Sequence, residues 1–160
     1  MAAFPPVSVR SDLQRRVGHG AGRLTPVERW HLTLRFLGEI AEDGRAGVER
    51  ALDGVPRAGK ISLRLAGGGQ FGNGRSTVLW AGVKGDLDAL TDLRDAIGAA
   101  LGAEPEPFTP HLTVAYADSG EVRNALRDYT GPEWSMDEFV LVRSHHADGG
   151  GYRRLRAWPL

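Results

Sequence analysis

Two hydrophobic periods alternate along the chain. Ile61-Ser62-Leu63-Arg64-Leu65 repeats every second residue, which predicts a half-exposed strand broken by Gly67, Gly68 and Gly69. Ser76 to Val83 reads as the next strand. From Leu87 to Leu101 the apolar positions Leu87, Leu90, Ile97 and Leu101 form a helical stripe, with Asp86 as N-cap and Gly102 at the C-terminal stop. Shorter helices are expected from Pro6 to about Val17, ahead of the glycine-rich turn 18–22, from Glu42 to Leu52 and from Glu121 to Asp128. Strands are expected at Arg29 to Leu37, stopped by Gly38, and at His111 to Tyr116. Trp134 to Ser144 and Tyr152 to Trp158 read as a terminal hairpin around the loop 147–151. The pattern predicts one compact α+β domain over residues 1–160.

Composition narrows the chemistry. The 160 residues are 41% hydrophobic and 25% charged, ordinary values for a folded domain. Twenty Lys and Arg balance twenty Asp and Glu, which argues against a broad cationic grip on duplex nucleic acid or on an anionic membrane. All but Lys60 and Lys84 of the basic residues are Arg, the better bidentate partner of phosphate. Cysteine is absent, so disulfides, thiolate metal sites and cysteine nucleophiles are excluded. No secretory or membrane-spanning segment is evident, so a cytoplasmic location is expected.

One repeat stands out. Trp30-His31-Leu32-Thr33-Leu34-Arg35-Phe36 and Pro110-His111-Leu112-Thr113-Val114-Ala115-Tyr116 share one short pattern. On strands, His31 and Thr33 point to one face and Leu32 and Leu34 to the other; His111 and Thr113 divide from Leu112 and Val114 in the same way. If the two strands pack about a pseudo-twofold axis, both His–Thr pairs face one cleft. The bland alternative is a pair of partly buried histidines bonded to backbone. Two imidazoles suit the hydrolysis of a cyclic phosphodiester, one taking a proton from water and the other protonating the departing oxygen, while hydroxyls hold the phosphate oxygens. No metal ligand set is evident: His145 and His146 precede a glycine-rich loop with no third ligand at metal spacing, and His19 sits in a glycine turn.

Together with Phe4-Pro5-Pro6, Thr77-Val78-Leu79-Trp80 and the stretch from Ser144 through Tyr152 to Trp158, the duplicated motif resembles the two-histidine (2H) phosphoesterase superfamily. Within it, the resemblance is to the bacterial and archaeal RNA 2′,3′-cyclic phosphodiesterases, also called 2′-5′ RNA ligases. It implies a bilobal pseudo-twofold fold, with antiparallel sheets lining a central cleft and helices outside. The implied activity is metal-independent opening of an RNA terminal 2′,3′-cyclic phosphate to a 2′-phosphate, with a reversible 2′-5′ ligation alongside. His31 would be the general acid and His111 the general base, with Thr33 and Thr113 on the phosphate. No cofactor and no obligate protein partner are implied; the partner is an RNA 3′ end or a small nucleotide. Two alternatives stand beside this reading: a non-catalytic nucleotide-binding module, and the same chemistry on a cyclic mononucleotide or an ADP-ribose cyclic phosphate.

The chain departs from the family pattern in two places. Five residues after its motif histidine the family carries an aromatic in the first half, here Phe36, and a phosphate-contacting Arg in the second, where this chain has Tyr116. Tyr116 can donate to phosphate without charge, and Arg35 and Arg75 are the candidate replacement cations. Phe36 is a candidate for base stacking, although parity places both Phe36 and Tyr116 on the core face. Only Met1-Ala2-Ala3-Phe4 precedes the Pro-Pro segment, where the family has a longer strand. The expectation is a truncated strand or an assigned start placed too far downstream.

Overall fold

The computed structural model describes residues 1–18, 24–145 and 151–160. Eight strands form one antiparallel sheet: β1 (Ala2–Ala3), β2 (Leu32–Thr33), β3 (Ile61–Phe71), β4 (Val78–Gly85), β5 (His111–Ala115), β6 (Thr130–Met136), β7 (Glu138–His145) and β8 (Gly151–Pro159). Their order is β6-β3-β4-β5-β2-β1-β7-β8. Four helices accompany them: α1 (Val7–Val17), α2 (Arg45–Asp53), α3 (Leu87–Ala100) and α4 (Gly120–Arg127). The fold is the expected mixed α+β architecture, with its two four-stranded halves continuous through the central β2–β5 pair.

One residue joins the two halves of this sheet. β6 lies at one edge and β7 next to the other edge, yet only Asp137 separates them, so the two halves meet at one end. The segment expected as a single strand from Trp134 to Ser144 is therefore two, broken where the Asp137 carbonyl accepts the Leu160 amide at 2.9 Å. Only β7 pairs with β8, from Glu138↔Pro159 to His145↔Gly151. Most of the expected hairpin loop, like the turn 19–22 with His19, lies outside the described residues. So does His146, and for His145 only the backbone is described.

Leu63, Leu65, Leu79, Ala81, Leu90, Ile97, Leu112 and Val114 are all at most 1% exposed and belong to one apolar core. In α3, Leu90, Leu93 and Ile97 supply the buried stripe, and Arg94 joins them at 4% exposure. Asp86 holds the expected N-cap position, but its carboxylate makes no capping bond and accepts the Ser62 amide at 3.2 Å instead. The α4 N-terminus is capped by Ser119, whose Oγ accepts from the Val122 amide.

Two other expected elements differ. The strand foreseen over Arg29 to Leu37 is reduced to Leu32–Thr33, because the Met1 carbonyl accepts both the Leu34 and Arg35 amides (2.9 and 3.3 Å) and curls the chain out of the ladder. A 3₁₀ turn, Val27–Arg29, precedes it. β3 does not stop at the triple glycine but runs through it with a bulge between Leu65 and Gly68. A Cβ on Gly68 would lie 2.6 Å from the Leu126 Cβ of α4, and one on Gly69 would lie 2.3 Å from the Trp80 ring. The glycines let a helix approach one face of β3 and an indole lie flat on the strand.

Candidate active site

The repeat falls on the two central strands. Leu32 pairs with Leu112 in the antiparallel β2–β5 ladder. The same register sets His31 across from Thr113 and Thr33 across from His111, all on the face opposite the buried leucines. These four residues line one cleft of about 600 Å³ together with Leu24, Thr25, Pro26, Arg29, Phe36, Tyr116, Ser144, Gly151 and Tyr152.

Both imidazoles are fixed in the same way. His31 Nδ1 lies 2.6 Å from the Arg29 carbonyl oxygen, and His111 Nδ1 lies 2.7 Å from that of Thr109, each two residues upstream. A carbonyl only accepts, so Nδ1 carries the proton in both rings and Nε2 is left to do chemistry. His31 Nε2 lies 3.2 Å from Thr33 Oγ1. The first strand is anchored to the second through Thr25, whose hydroxyl reaches the Thr113 and Val114 carbonyls at 3.1 and 3.0 Å. The same hydroxyl accepts from the buried Trp30 indole at 2.8 Å.

Aromatic rings flank each imidazole. Tyr152 meets His31 edge-on at 4.6 Å and Phe4 lies at 5.7 Å, with the Arg154 guanidinium 5.4 Å over the Phe4 ring. Phe71 meets His111 edge-on at 4.9 Å and Trp80 lies at 6.0 Å. The electrostatics favour the neutral form of His31. Burial lowers its pKa from the ordinary imidazole value against the bond to the Arg29 carbonyl, and the positive charges of the Met1 ammonium and then of His111 lower it further.

The remaining expected residues divide. Phe36 and Tyr116 do not follow strand parity to the core: β2 and β5 end before reaching them, and they stand 82% and 62% exposed at the cleft. Arg35 turns away from the cleft. It pairs with Glu106 at 3.1 Å and donates to the Glu104 carbonyl, in a cluster where Glu106 also holds the buried Arg94 at 3.2 Å. Arg75 sits exposed in a 3₁₀ turn, Gly74–Ser76, and does not line the cleft. Arg29 and Thr25 line it without having been singled out from the sequence, and so does Tyr152, which the resemblance quoted without giving it a role. Arg29 shares strand parity with His31, a signal available from the sequence; the approach of Tyr152 depends on how β8 curls. Among the described residues, no group of three or more His, Asp or Glu side chains is placed to hold a metal. No helix among them is long and apolar enough to cross a membrane.

A bent antiparallel sheet that brings two His-x-Thr pairs together about a pseudo-twofold axis has the form of a two-histidine phosphoesterase. The description of the 2′-5′ RNA ligase superfamily matches residues 5–148, and the chain belongs to that family. Its curated relatives carry a hydrolase name. An RNA 2′,3′-cyclic phosphodiesterase of Archaeoglobus fulgidus is 32% identical over 178 residues, covering 99% of both chains. One from Geobacillus stearothermophilus is 31% identical over 99% of this chain, which spans only 56% of that protein's length. Among solved structures, E. coli LigT in apo form superposes with a TM-score of 0.74 at 28% identity, covering 99% of this chain and 94% of that one. E. coli LigT complexed with 3′-AMP gives a TM-score of 0.78 at 27% identity, covering 99% and 95%.

Proposed function

We propose that this chain is a single two-lobed RNA 2′,3′-cyclic phosphodiesterase domain that opens a terminal cyclic phosphate to a 2′-phosphate without a metal. The observation that carries the reading is the matched pair of imidazoles, each with Nδ1 on the carbonyl two residues upstream and each lining the same cleft. His111 Nε2 takes a proton from water as the water oxygen bonds to phosphorus. The bond from phosphorus to the ribose O3′ breaks, and His31 Nε2 delivers a proton to that oxygen. The Thr33 and Thr113 hydroxyls donate to the non-bridging oxygens, where charge concentrates in the transition state. A phosphate anion between the rings offsets the burial of His31 and restores its proton, so substrate binding loads the acid. Ligation uses the same roles with an RNA 5′-hydroxyl in place of water: its oxygen bonds to phosphorus as His111 takes the proton, O3′ leaves with the proton from His31, and the phosphate stays on O2′ as a 2′-5′ linkage, whose cleavage by the 3′-hydroxyl exchanges the two roles.

The test is a short RNA ending in a 2′,3′-cyclic phosphate, incubated in excess EDTA, with the product isomer identified. A 2′-phosphate formed by the parent protein and lost in both His31→Ala and His111→Ala is the expected result. A 3′-phosphate product, or turnover only after Mg²⁺ is added, overturns the mechanism. Tight binding without turnover identifies a nucleotide-binding module instead.

A further inference from the structure

A phosphodiester carries a negative charge, and strong recognition of it calls for an opposing charge held in place. Burial drives His31 toward its neutral form, and the Thr33, Thr113 and Tyr116 hydroxyls are uncharged. Among the described residues that line the cleft, Arg29 is the one with a permanent positive charge.

We infer that the Arg29 guanidinium is the phosphate-binding cation of this cleft, filling the role that the family resemblance gives to an Arg at position 116. Placement supports the exchange. The segment that ends at Arg29 runs along the end of β5: Leu24 bridges to Ala115, next to Tyr116, and the Thr25 amide donates to the Val114 carbonyl at 2.8 Å. The 3₁₀ turn, closed by the Arg29 amide on the Pro26 carbonyl at 2.8 Å, then aims residue 29 into the cleft. Tyr152, which contacts His31, lies within electrostatic reach of both Tyr116 and Arg29. The segments that carry residues 29 and 116 therefore run side by side into one cleft. Because the Arg29 backbone carbonyl holds His31 Nδ1, the cation and the imidazole are fixed to each other by two residues of chain. A guanidinium offers two parallel donors to phosphate oxygens and stays charged at every pH where the imidazoles titrate.

This inference rests on the proposed reading of the cleft as a phosphodiesterase site, and its test separates the two. Binding of adenosine 2′-monophosphate is measured by calorimetry, with inorganic phosphate as competitor, for the parent, Arg29→Lys, Arg29→Ala and the double variant Arg29→Ala/Tyr116→Arg. Melting curves establish that each variant is folded. Arg29→Ala is expected to weaken binding about 10- to 100-fold, the range for a lost charged hydrogen-bond donor. Arg29→Lys keeps part of the affinity, and the added Arg at 116 restores most of it. Equal affinity of the parent and Arg29→Ala overturns the inference, as does a double variant no better than Arg29→Ala. Since binding is read directly, a parent that binds the nucleotide through Arg29 but turns over no cyclic phosphate defeats the proposed activity alone. A parent that turns it over with the same kcat/KM and nucleotide affinity as Arg29→Ala defeats the inference alone.

Discussion

Leu32 and Leu112 pair directly across the centre of the sheet, and the pseudo-twofold axis of the site passes between them. Both leucines are buried, at 1% and 0% exposure, so the alternation of the strands turns the histidines and threonines to the opposite face. Core packing and the proposed catalysis therefore share one register, and a slip by one residue would bury the imidazoles and expose the leucines.

His31→Ala and His111→Ala are each expected to lower kcat by about 10²- to 10⁴-fold, the contribution of one positioned proton transfer. Neither side chain belongs to the apolar core, so the melting temperature of each variant should stay close to the parent value. Thr33→Val and Thr113→Val each remove one donor to the phosphate and should cost roughly 10²-fold, as loss of a single oxyanion donor does. Steady-state kinetics with a cyclic-phosphate oligonucleotide measures all four.

The lowered pKa of His31 has a signed consequence for stability. An imidazole whose pKa falls on folding binds fewer protons in the native state than in the unfolded one, so its contribution is complete above the ordinary value of 6.5. It is lost progressively as the pH drops below that value toward the folded pKa. The melting temperature should thus fall less steeply in His31→Asn than in the parent over roughly pH 7 to 5. A steeper fall in the variant contradicts the sign. For catalysis, a bell-shaped kcat/KM profile is expected, because one imidazole must be neutral while the other is protonated.

Arg35 is expected to matter for stability and not for substrate. Arg35→Ala removes one of the two guanidiniums on Glu106 and should lower the melting temperature while leaving KM unchanged. Glu106 is 56% exposed, so the loss should be small, about 1 kcal/mol or less. A raised KM with an unchanged melting temperature would return Arg35 to the phosphate.

Gly69→Ala sets a methyl group against the Trp80 ring, and Gly68→Ala sets one against Leu126 and 2.8 Å from the Trp80 carbonyl. Each should cost about 1–3 kcal/mol of stability, the usual range for overpacking. Gly69→Ala should also lower kcat, because the displaced indole is a neighbour of His111. Denaturant melts and single-turnover rates separate the two effects.

Much of this was legible in the residues. Alternation over Ile61–Leu65 located a strand, the stripe through Leu90 and Ile97 located α3, and the repeated His-Leu-Thr placed two imidazoles on one face. Parity failed at Phe36 and Tyr116 because it holds only while a strand lasts, and the ladder ends at Thr33 and at Ala115. The Gly67–Gly69 run looked like a stop because local propensity says nothing of a helix and an indole pressing on the same backbone. Arg35 was drawn to the phosphate by its charge alone; Glu106, distant in sequence, claims it in the fold.

The order of assembly follows from where the strands come from. β3 through β6 are contiguous in the chain, so every strand pairing in the half-sheet carrying His111 is made within residues 61–136, the widest joining Ile61 to Met136. The half carrying His31 is built from the two ends, and Ala2 meets Val140 only after nearly the whole chain has been drawn together. Contacts of such long sequence separation slow folding, since the loop must close before the pairing rewards it. The half bearing His111 should therefore gain hydrogen-exchange protection first during refolding, and the cleft should exist only once the last pairing, between the two ends of the polypeptide, is made.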